Sequence, residues 1–401
     1  MDEQLGGDLT RLRQLNALNV IRALRGQPAQ VVSDLVRRTG LSRPSCEDLL
    51  GVLLDQGWAA VEPPAQGGLG RPARRYRFRA EAGVVLGLDI GAYHVRAALG
   101  DLNGTVLATA HRQVEPEWSA ADRLAAADAA AAACLASTGH MAADLWTVAA
   151  GVTGLVDRAG NIVLSGSIPD WAGTPLIAHL GERYACPVLV QNDCKLGALA
   201  ERVRGVAAGV RDVVYLHAGR RTAASMLLNG ALYHGHSGAT GEIGTLAVTR
   251  WDDAAPKLLA CPVVPAGTPT DEIGRLVFAA ARAGDATAVA AVRQYTKDLA
   301  VGAAALVLTL DPELVVLGGG FSQSGDVIAE PLHRALSRLC LRMPRLEVST
   351  LGAESVTLGA VSYAIEHLDR LLFSAESAGL PVPLPPRREH VSVPGEAVGA
   401  V

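Results

Sequence analysis

The sequence has few lysines, few aromatic residues and few charged residues for a chain of 401 residues. Lysine occurs at only three positions, so arginine supplies nearly all of the positive charge. Aromatic residues make up 4% and charged residues 19%, whereas hydrophobic residues make up 49% and the mean hydropathy is +0.23. This apolar composition excludes a mainly disordered chain. The length predicts about two to three folded domains.

Long apolar runs and a leader-like start are also missing. No segment of the sequence reaches about 18 consecutive apolar residues, which a membrane-spanning helix needs. The first residues, MDEQLGGD, are acidic and lack the basic and apolar regions of a signal peptide. The six cysteines form no C-x-x-C pair and are predicted to be reduced thiols. We therefore expect a cytoplasmic protein with no membrane partner.

Charge is distributed unevenly along the chain. Residues 1–80 contain twelve arginines and eight acidic residues, a net charge of +4, whereas the remainder carries −8. The overall net charge of −4 excludes nucleic-acid binding through the charge of the whole chain, so such binding requires a local patch. The distribution predicts a small basic module joined to a larger acidic one, although chance clustering would give the same numbers.

The basic module has the pattern of a helix-turn-helix. Apolar residues in the segment 17–24 recur with helical spacing, and residues 32–39 repeat that spacing in a second, shorter helix. Gly40 supplies a tight turn. Ser42 is suited to cap a third helix, and Pro44 lies in its first turn, where a missing N–H costs nothing.

A β-hairpin is predicted after the third helix. A strand begins near residues 58–61, a glycine-rich turn occupies residues 66–70, a basic segment follows at 71–75, and residues 76–78 return as a strand. Three helices and a hairpin predict a winged helix over residues 1–80.

The chemistry of this module suits DNA. The start of the third helix would enter a major groove, where arginine can pair with guanine and serine can bind phosphate or base. The basic wing would contact phosphates or a minor groove. The alternative is a winged helix that contacts another protein. The predicted DNA contacts are Ser42, Arg43, Ser45, Arg71, Arg74 and Arg75.

The rest of the chain is predicted to be an α/β body of two similar lobes. A buried strand at residues 84–91 is followed by two more strands, a helix at 120–137 and strands at 146–151 and 187–191. The same order recurs after residue 210, with a helix at 287–310 and a last strand at 314–317. Two such halves facing a cleft form an actin-like ATPase architecture.

Asn16 and seven short motifs occur in a recognisable order. The motifs are LSRPS (41–45), GRP (70–72), LGLDIG (86–91), GLVD (154–157), ND (192–193), GEIG (241–244) and LGGG (317–320). With them the chain resembles the ROK family (repressors, open reading frames and kinases), and within it the repressors that join a winged helix to a sugar-kinase-like body. The resemblance covers about residues 10–370. It implies a body at 81–370, with lobe one about 81–195 plus the final helix, lobe two about 196–354, and a flexible tail at 371–401.

The resemblance also shows where the chain departs from a kinase. The family's first phosphate loop reads D-I-G-G-T-K, whereas residues 89–94 read DIGAYH. Its second loop, G-T-G-I-G, is replaced by HAGRRTA at 217–223, which lacks most glycines that admit phosphate. The third loop, 318–320, remains, either for nucleotide or as a structural turn. We therefore expect no enzymatic activity and no cofactor.

Sugar-binding positions are better preserved. Asp193 matches the kinase general base, although a carboxylate there also serves as a plain hydrogen-bond acceptor. Asn192 and Glu242 match contacts to sugar hydroxyls, and Gly154 and Ser167 match residues that line the same cleft. The alternative is a satisfied polar cluster at strand ends.

A zinc site implied by the family lacks its ligands. The usual histidine after G-E-I-G is Thr245, and the cysteine-rich segment that follows retains only Cys261. Structural zinc needs about four ligands, so we predict no metal. This departure also leaves open a ligand pocket of altered specificity.

These features predict a transcriptional regulator, a repressor of carbohydrate-related genes whose body senses a sugar or sugar derivative. The resemblance implies a homodimer or homotetramer, which would bind double-stranded operator DNA with an inverted repeat. Two alternatives stay open. One is an active sugar kinase with an added DNA-binding module, and the other is a regulator that has lost its ligand.

Overall fold

The computed structural model describes residues 3–62 and 73–373. Arg71, most of the predicted wing and the predicted tail beyond Phe373 lie outside these ranges. Within the described parts of the chain, every helix is too short or too polar to span a bilayer.

The N-terminal domain contains the predicted three helices and hairpin. Gly40 adopts the left-handed conformation (φ 71°) and closes α2, because its N–H donates to the carbonyl of Val36. Ser42 caps α3 by accepting a hydrogen bond from the N–H of Ser45. The two strands pair in antiparallel register, with Ala59 opposite Phe78. The elements are α1 (Glu3–Leu24), α2 (Val32–Thr39), α3 (Arg43–Asp55), β1 (Ala59–Glu62) and β2 (Arg75–Phe78).

Lobe one is built on a five-stranded mixed sheet in the order β5-β4-β3-β6-β9. The first three strands pair antiparallel, and β6 and β9 add to β3 in parallel. The third strand of this sheet ends at Gln113. The elements are β3 (Val84–Ile90), β4 (His94–Asp101), β5 (Val106–Gln113), α4 (Ala120–Thr138), β6 (Leu145–Val152), β7 (Leu155–Val156), β8 (Ile162–Leu164), α5 (Leu176–Arg183) and β9 (Val188–Asn192).

Lobe two repeats this plan, which confirms the predicted duplication. Its five strands follow the order β12-β11-β10-β13-β14, with the same division into antiparallel and parallel pairs. Helices α6 and α11 pack on each other, with α6 also against β10 and β11 and α11 against the lobe-one sheet. The remaining elements of the body are α6 (Asp193–Arg204), β10 (Val213–Ala218), β11 (Thr222–Leu228), β12 (Ala231–Leu232), α7 (Trp251–Leu259), α8 (Thr270–Arg282), α9 (Ala286–Leu310), β13 (Leu314–Gly318), α10 (Gly325–Leu336), β14 (Arg345–Val348) and, on the lobe-one sheet, the final helix α11 (Ser355–Leu372).

One hydrophobic core joins the winged helix to lobe one. At its centre lies a junction cluster of four aromatic residues, Trp58, Phe78, Trp146 and Phe373. The ring of Trp58 stacks on Phe78 at 6.2 Å and meets the edges of Trp146 at 5.8 Å and Phe373 at 5.2 Å. Such pairs add to the free energy gained by burial. The two domains are therefore held together by buried apolar surface.

Polar contacts surround the junction cluster. The guanidinium of Arg25, on α1, forms an ion pair with Asp369 of α11 and donates to the carbonyl of Leu102 at 2.6 Å. It also lies 5.4 Å from the ring centre of Phe373. Arg22 donates to the carbonyl of Phe373. The end of α11 is thus fixed against the first helix of the winged helix.

Candidate functional sites

The start of α3 presents the predicted DNA contacts to solvent. Ser42, Arg43 and Ser45 are all exposed. The Nε of Arg43 donates to Glu47 at 2.9 Å, in an ion pair whose side chains are both largely exposed. Such a pair contributes little energy. The guanidinium is therefore available to a base edge.

The basic arm of the hairpin divides into different environments. Arg74 is exposed, as a phosphate contact requires, whereas Arg71 is outside the described residues. The guanidinium of Arg75 donates two hydrogen bonds to the carbonyl of Ala29, from Nε at 3.1 Å and from Nη2 at 2.6 Å. Arg75 thus attaches the hairpin to the segment before α2. Its predicted contact with DNA stays a prediction, with part of its donor capacity already used.

The carboxylate at the first phosphate-loop position is bonded to residues of its own lobe. Asp89, at the end of β3, is buried and bonded to the Nε2 of His94 at 2.8 Å. Arg96 lies across the strand pair, with its Nη1 3.5 Å from the same carboxylate. His94 occupies the sixth position of DIGAYH, the last of that loop. The carboxylate that the resemblance would assign to magnesium therefore has two partners from its own lobe.

The second phosphate-loop position contacts lobe one. The guanidinium carbon of Arg220 lies 4.4 Å from the ring centre of Tyr93, in a cation–π arrangement. Arg221 donates to the carbonyl of Gly166 at 2.8 Å. Two neighbouring arginines of lobe two thus hold two separate loops of lobe one.

The third glycine-rich segment is required by packing. A β-carbon at Gly318 would lie 2.3 Å from the hydroxyl of Tyr215, and one at Gly319, where φ is 81°, would lie 2.5 Å from the carbonyl of Ala218. Both positions need glycine for the close approach of neighbouring atoms. The presence of glycine at positions 318 and 319 therefore has a structural reason, which does not require a bound nucleotide.

Asp193 is the first residue of α6 and follows directly on the carboxyl end of β9. Its carboxylate accepts hydrogen bonds from Thr153 Oγ1 at 2.8 Å, from the N–H of Cys194 at 2.7 Å and from the amide of Asn192 at 3.0 Å. Burial raises the pKa of Asp193, against the opposing influences of His217 and the hydrogen bond from Thr153. The group retains acceptor capacity for a ligand hydroxyl.

Asn192 and Gly154 position this carboxylate. The side-chain oxygen of Asn192 caps α6 by accepting from the N–H of Lys195 at 3.1 Å, and its amide nitrogen donates to the carbonyl of Gly154 at 3.0 Å. Gly154 has φ 130°, and a β-carbon there would lie 2.4 Å from the carbonyl of Leu164. Both predicted sugar residues thus have architectural functions, and Asn192 has little hydrogen-bonding capacity left for a ligand.

Three buried polar atoms on the segment 165–167 and near the end of β10 have no hydrogen-bond partner in the part of the chain that the structure describes. Among the described residues, Ser167 Oγ is buried with no hydrogen-bond partner, and so are Ser165 Oγ and His217 Nδ1. Buried polar atoms normally have partners, so a bound molecule or water is expected here. Ser167 was predicted from the sequence, whereas Ser165 and His217 were not.

Glu242 and Lys195 are two oppositely charged residues close to each other. Glu242 is exposed and has Lys195 and Asp193 as electrostatic neighbours. Desolvation raises the pKa of Glu242, and burial lowers the pKa of Lys195, whose ammonium donates to the carbonyl of Gly238. The predicted residues Asp193 and Glu242 therefore share one electrostatic neighbourhood.

The segment in which the family carries its zinc ligands forms a short turn and a helix in this chain. Thr245 is exposed in a short 3₁₀ turn, residues 251–259 form α7, and Cys261 is buried in the core of lobe two. Within residues 3–62 and 73–373, no three His, Cys, Asp or Glu side chains are grouped so that they could hold a metal ion. The residues present do not fit a zinc ion.

Comparison with known families gives two matches. Residues 85–263 and 266–367 match the ROK family, and residues 15–63 match the IclR helix-turn-helix domain. The first match covers more than half of the chain.

Individual relatives are of two kinds. The xylose repressor of Caldicellulosiruptor bescii is 21% identical over 391 residues, covering 90% of this chain and 98% of that protein. The glucokinase of Streptomyces coelicolor is 27% identical over 285 residues, covering 64% of this chain and 88% of that enzyme. A crystal structure of a ROK-family transcriptional regulator, a homologue of the E. coli MLC protein, has the same fold, with TM-score 0.68 at 20% identity over 89% of this chain and 97% of that one.

Proposed function

Since this chain belongs to the ROK family, we propose that it is a transcriptional regulator that represses carbohydrate-related genes and senses a sugar in its cleft. The observation that carries the proposal is the single core shared by the winged helix and lobe one. A DNA-binding domain fixed in this way can respond to the state of the cleft. The likeness along 90% of the chain to a protein named a xylose repressor supports the same function.

The winged helix supports operator binding. Ser42, Arg43 and Ser45 are exposed at the start of α3, the end of a recognition helix that contacts base edges. Arg74 is exposed on the wing. Arg71 and Arg75 complete the proposed contact surface. The regulator would act in the cytoplasm, as a homodimer or homotetramer on an inverted repeat.

The phosphate-loop positions support loss of catalysis. Arg220 covers Tyr93, and Asp89 is bonded to His94 and lies beside Arg96. These contacts use the groups that a kinase would leave for nucleotide and magnesium. We therefore propose that the body binds sugar without phosphorylating it, and that zinc has no part in it.

The position of α6 supports a connection between sugar and DNA. Asp193 begins α6, α6 packs along α11, and the end of α11 contacts Arg22 and Arg25 of the winged helix. A ligand alters DNA binding only if it prefers one arrangement of these elements over another. Asp193, Glu242 and Ser167 are the proposed ligand contacts, positioned by Asn192 and Gly154.

The proposal is tested by selecting sheared genomic DNA on the purified full-length protein, with and without a mixed sugar pool. Enrichment of a shared inverted repeat that changes when sugars are added is the expected result. Absence of any enriched sequence under both conditions contradicts the proposed DNA-binding function. Enrichment that no sugar changes, together with unchanged DNA binding in Glu242→Ala, supports the ligand-free regulator instead.

An active sugar kinase is the second candidate, favoured by the retention of Asp193 beside Asp89. The test is transfer of labelled phosphate from ATP to hexoses, with Asp193→Asn as the matched variant. Transfer above background that this variant abolishes would replace the non-catalytic function with this one.

A further inference from the structure

His217 is a side chain that the sugar contacts above do not use. It lies near the carboxyl end of β10, the middle strand of the lobe-two sheet, where α/β sheets bind ligands. Asp193 is its strongest charged neighbour, followed by Asp89. The resemblance places His217 in the segment 217–223 that replaces the kinase loop G-T-G-I-G. An imidazole whose Nδ1 is buried without a partner among the described residues therefore lies near the end of β10.

The unpartnered polar atoms of His217 and of the segment 165–167 are neutral hydrogen-bonding groups. Burial lowers the pKa of His217, which favours the uncharged ring. Its Nδ1 and the hydroxyls of Ser165 and Ser167 have no partner within the described parts of the chain. The carboxylates of Asp193 and Glu242 add acceptors. Such a set matches the hydroxyl groups of a sugar.

The cations around the cleft are already bonded. The ammonium of Lys195 donates to the carbonyl of Gly238, and Arg221 donates to the carbonyl of Gly166. Each of these bonds uses part of the donor capacity of its cation.

The remaining cations lie on the phosphate-loop side. His94 and Arg96 are paired with Asp89, and Arg220 lies over the ring of Tyr93. A phosphate dianion beside Asp193 would therefore meet carboxylates without a free cation to offset them.

We propose that His217 and Asp193 together bind one hydroxyl of an unphosphorylated sugar, and that His217 excludes the phosphate ester of the same sugar. The hydroxyl donates to the carboxylate of Asp193 and accepts from, or donates to, His217 according to the tautomer of the ring. His217 is thus a specificity-determining residue. This inference rests on the proposed sugar-sensing function.

Isothermal titration of the full-length protein tests it. The probes are D-glucose, D-mannose and N-acetyl-D-glucosamine with their 6-phosphates, and D-xylose with its 5-phosphate. At least one free sugar is expected to bind, with its phosphate ester bound at least about tenfold more weakly. His217→Gly, which removes the imidazole, is expected to weaken binding of the free sugar and to reduce that preference to about threefold or less.

Two variants control for the loss of a side chain. His333→Ala removes an exposed histidine of α10, and Asp252→Asn is the control for Asp193→Asn. Both controls are expected to keep the wild-type preference, whereas Asp193→Asn loses binding of the free sugar. Thermal unfolding of each variant verifies that it is folded, and His217→Asn replaces His217→Gly if the glycine variant unfolds.

The outcomes separate this inference from the function on which it rests. Equal or tighter binding of a phosphate ester, or an unchanged preference in His217→Gly, overturns the inference alone. If no free or phosphorylated sugar binds, and none of them changes operator binding, the proposed sugar-sensing function is wrong. The inference about His217 is then wrong as well.

Discussion

Arg220 of lobe two lies over the ring of Tyr93 of lobe one, with 4.4 Å between its guanidinium carbon and the ring centre. The two residues come from the two segments that cradle nucleotide phosphates in the kinases that this chain resembles. They contact each other where a kinase would need both to contact a ligand. The cleft is thereby bridged on its phosphate side.

A double-mutant cycle measures this bridge. Arg220→Ala, Tyr93→Leu and the double variant are expected to give a coupling of about 0.5–1 kcal/mol in the free energy of unfolding, since the pair is partly exposed. Urea denaturation provides the values. Arg112→Ala, which removes an exposed arginine of β5, is expected to show no coupling with Tyr93→Leu. A coupling indistinguishable from zero means that the pair does not hold the lobes.

Arg43, at the start of α3, is expected to contribute to the preference of the protein for specific bases. Arg43→Ala is expected to cost about 1–3 kcal/mol of operator affinity and to relax the preference at one base pair. Affinity and specificity are measured by fluorescence anisotropy on the selected operator and its single-base variants. Arg334→Ala, on exposed α10, is the control that should change neither. If Arg43→Ala leaves both unchanged, α3 is not the recognition helix.

The wing is expected to act through phosphates. Arg74→Ala should weaken all sequences alike and lower the slope of log affinity against log salt by about one. The measurement is anisotropy at several salt concentrations on operator and random DNA. A loss confined to one sequence would place Arg74 at a base edge instead.

Arg25 is expected to connect the cleft to the winged helix. Arg25→Leu removes its bonds to Asp369 and Leu102 and should cost about 1–2 kcal/mol of unfolding free energy. It should also reduce the effect of sugar on operator binding, with sugar affinity unchanged. Arg282→Leu breaks an exposed pair with Asp326 in lobe two and is the matched control. A normal response to sugar in Arg25→Leu rules out this connection.

His367 on α11 predicts a loss of stability in mild acid. Burial lowers its pKa to about 4 from the ordinary value of 6.5. Between these pH values the unfolded chain binds a proton that the folded chain does not, so the free energy of unfolding falls as pH drops. Between about pH 7.5 and about pH 5 the loss is at most about 2 kcal/mol, and partial exposure of the ring reduces it. Urea unfolding at about pH 7.5 and about pH 5 measures it. His367→Gln should flatten the change, and His333→Gln, at an exposed site, should not.

Local signals predicted the winged helix well. Gly40, Ser42 and Pro44 each act within one turn of the backbone, so their spacing alone predicts where helices end and begin. Most strands of the two sheets were predicted for a similar reason, because buried strands stand out as short apolar runs. The edge strand β14 was missed, since the last strand was predicted at 314–317 and none of the residues of β14 is buried.

The candidate site was predicted less completely. Asn192 reads as a ligand amide, but the same residue type caps helices, and only the structure shows its oxygen on the N–H of Lys195. Arg75 has the charge of a DNA contact, but its guanidinium is bonded to Ala29. His217 was missed because a lone histidine after an apolar strand matches no motif. Its proximity to Asp193 exists only once the two lobes face each other.

The junction cluster has a consequence for exchanging winged helices between related regulators. A cut near residue 80 separates Trp58 and Phe78 from Trp146 and Phe373, so each fragment would expose aromatic surface that is buried in the whole chain. A chimera joined near residue 80 would need a last turn of α11 that packs against the new winged helix in order to remain soluble. The winged helix and body of this protein are therefore expected to diverge in evolution as a pair rather than as interchangeable parts.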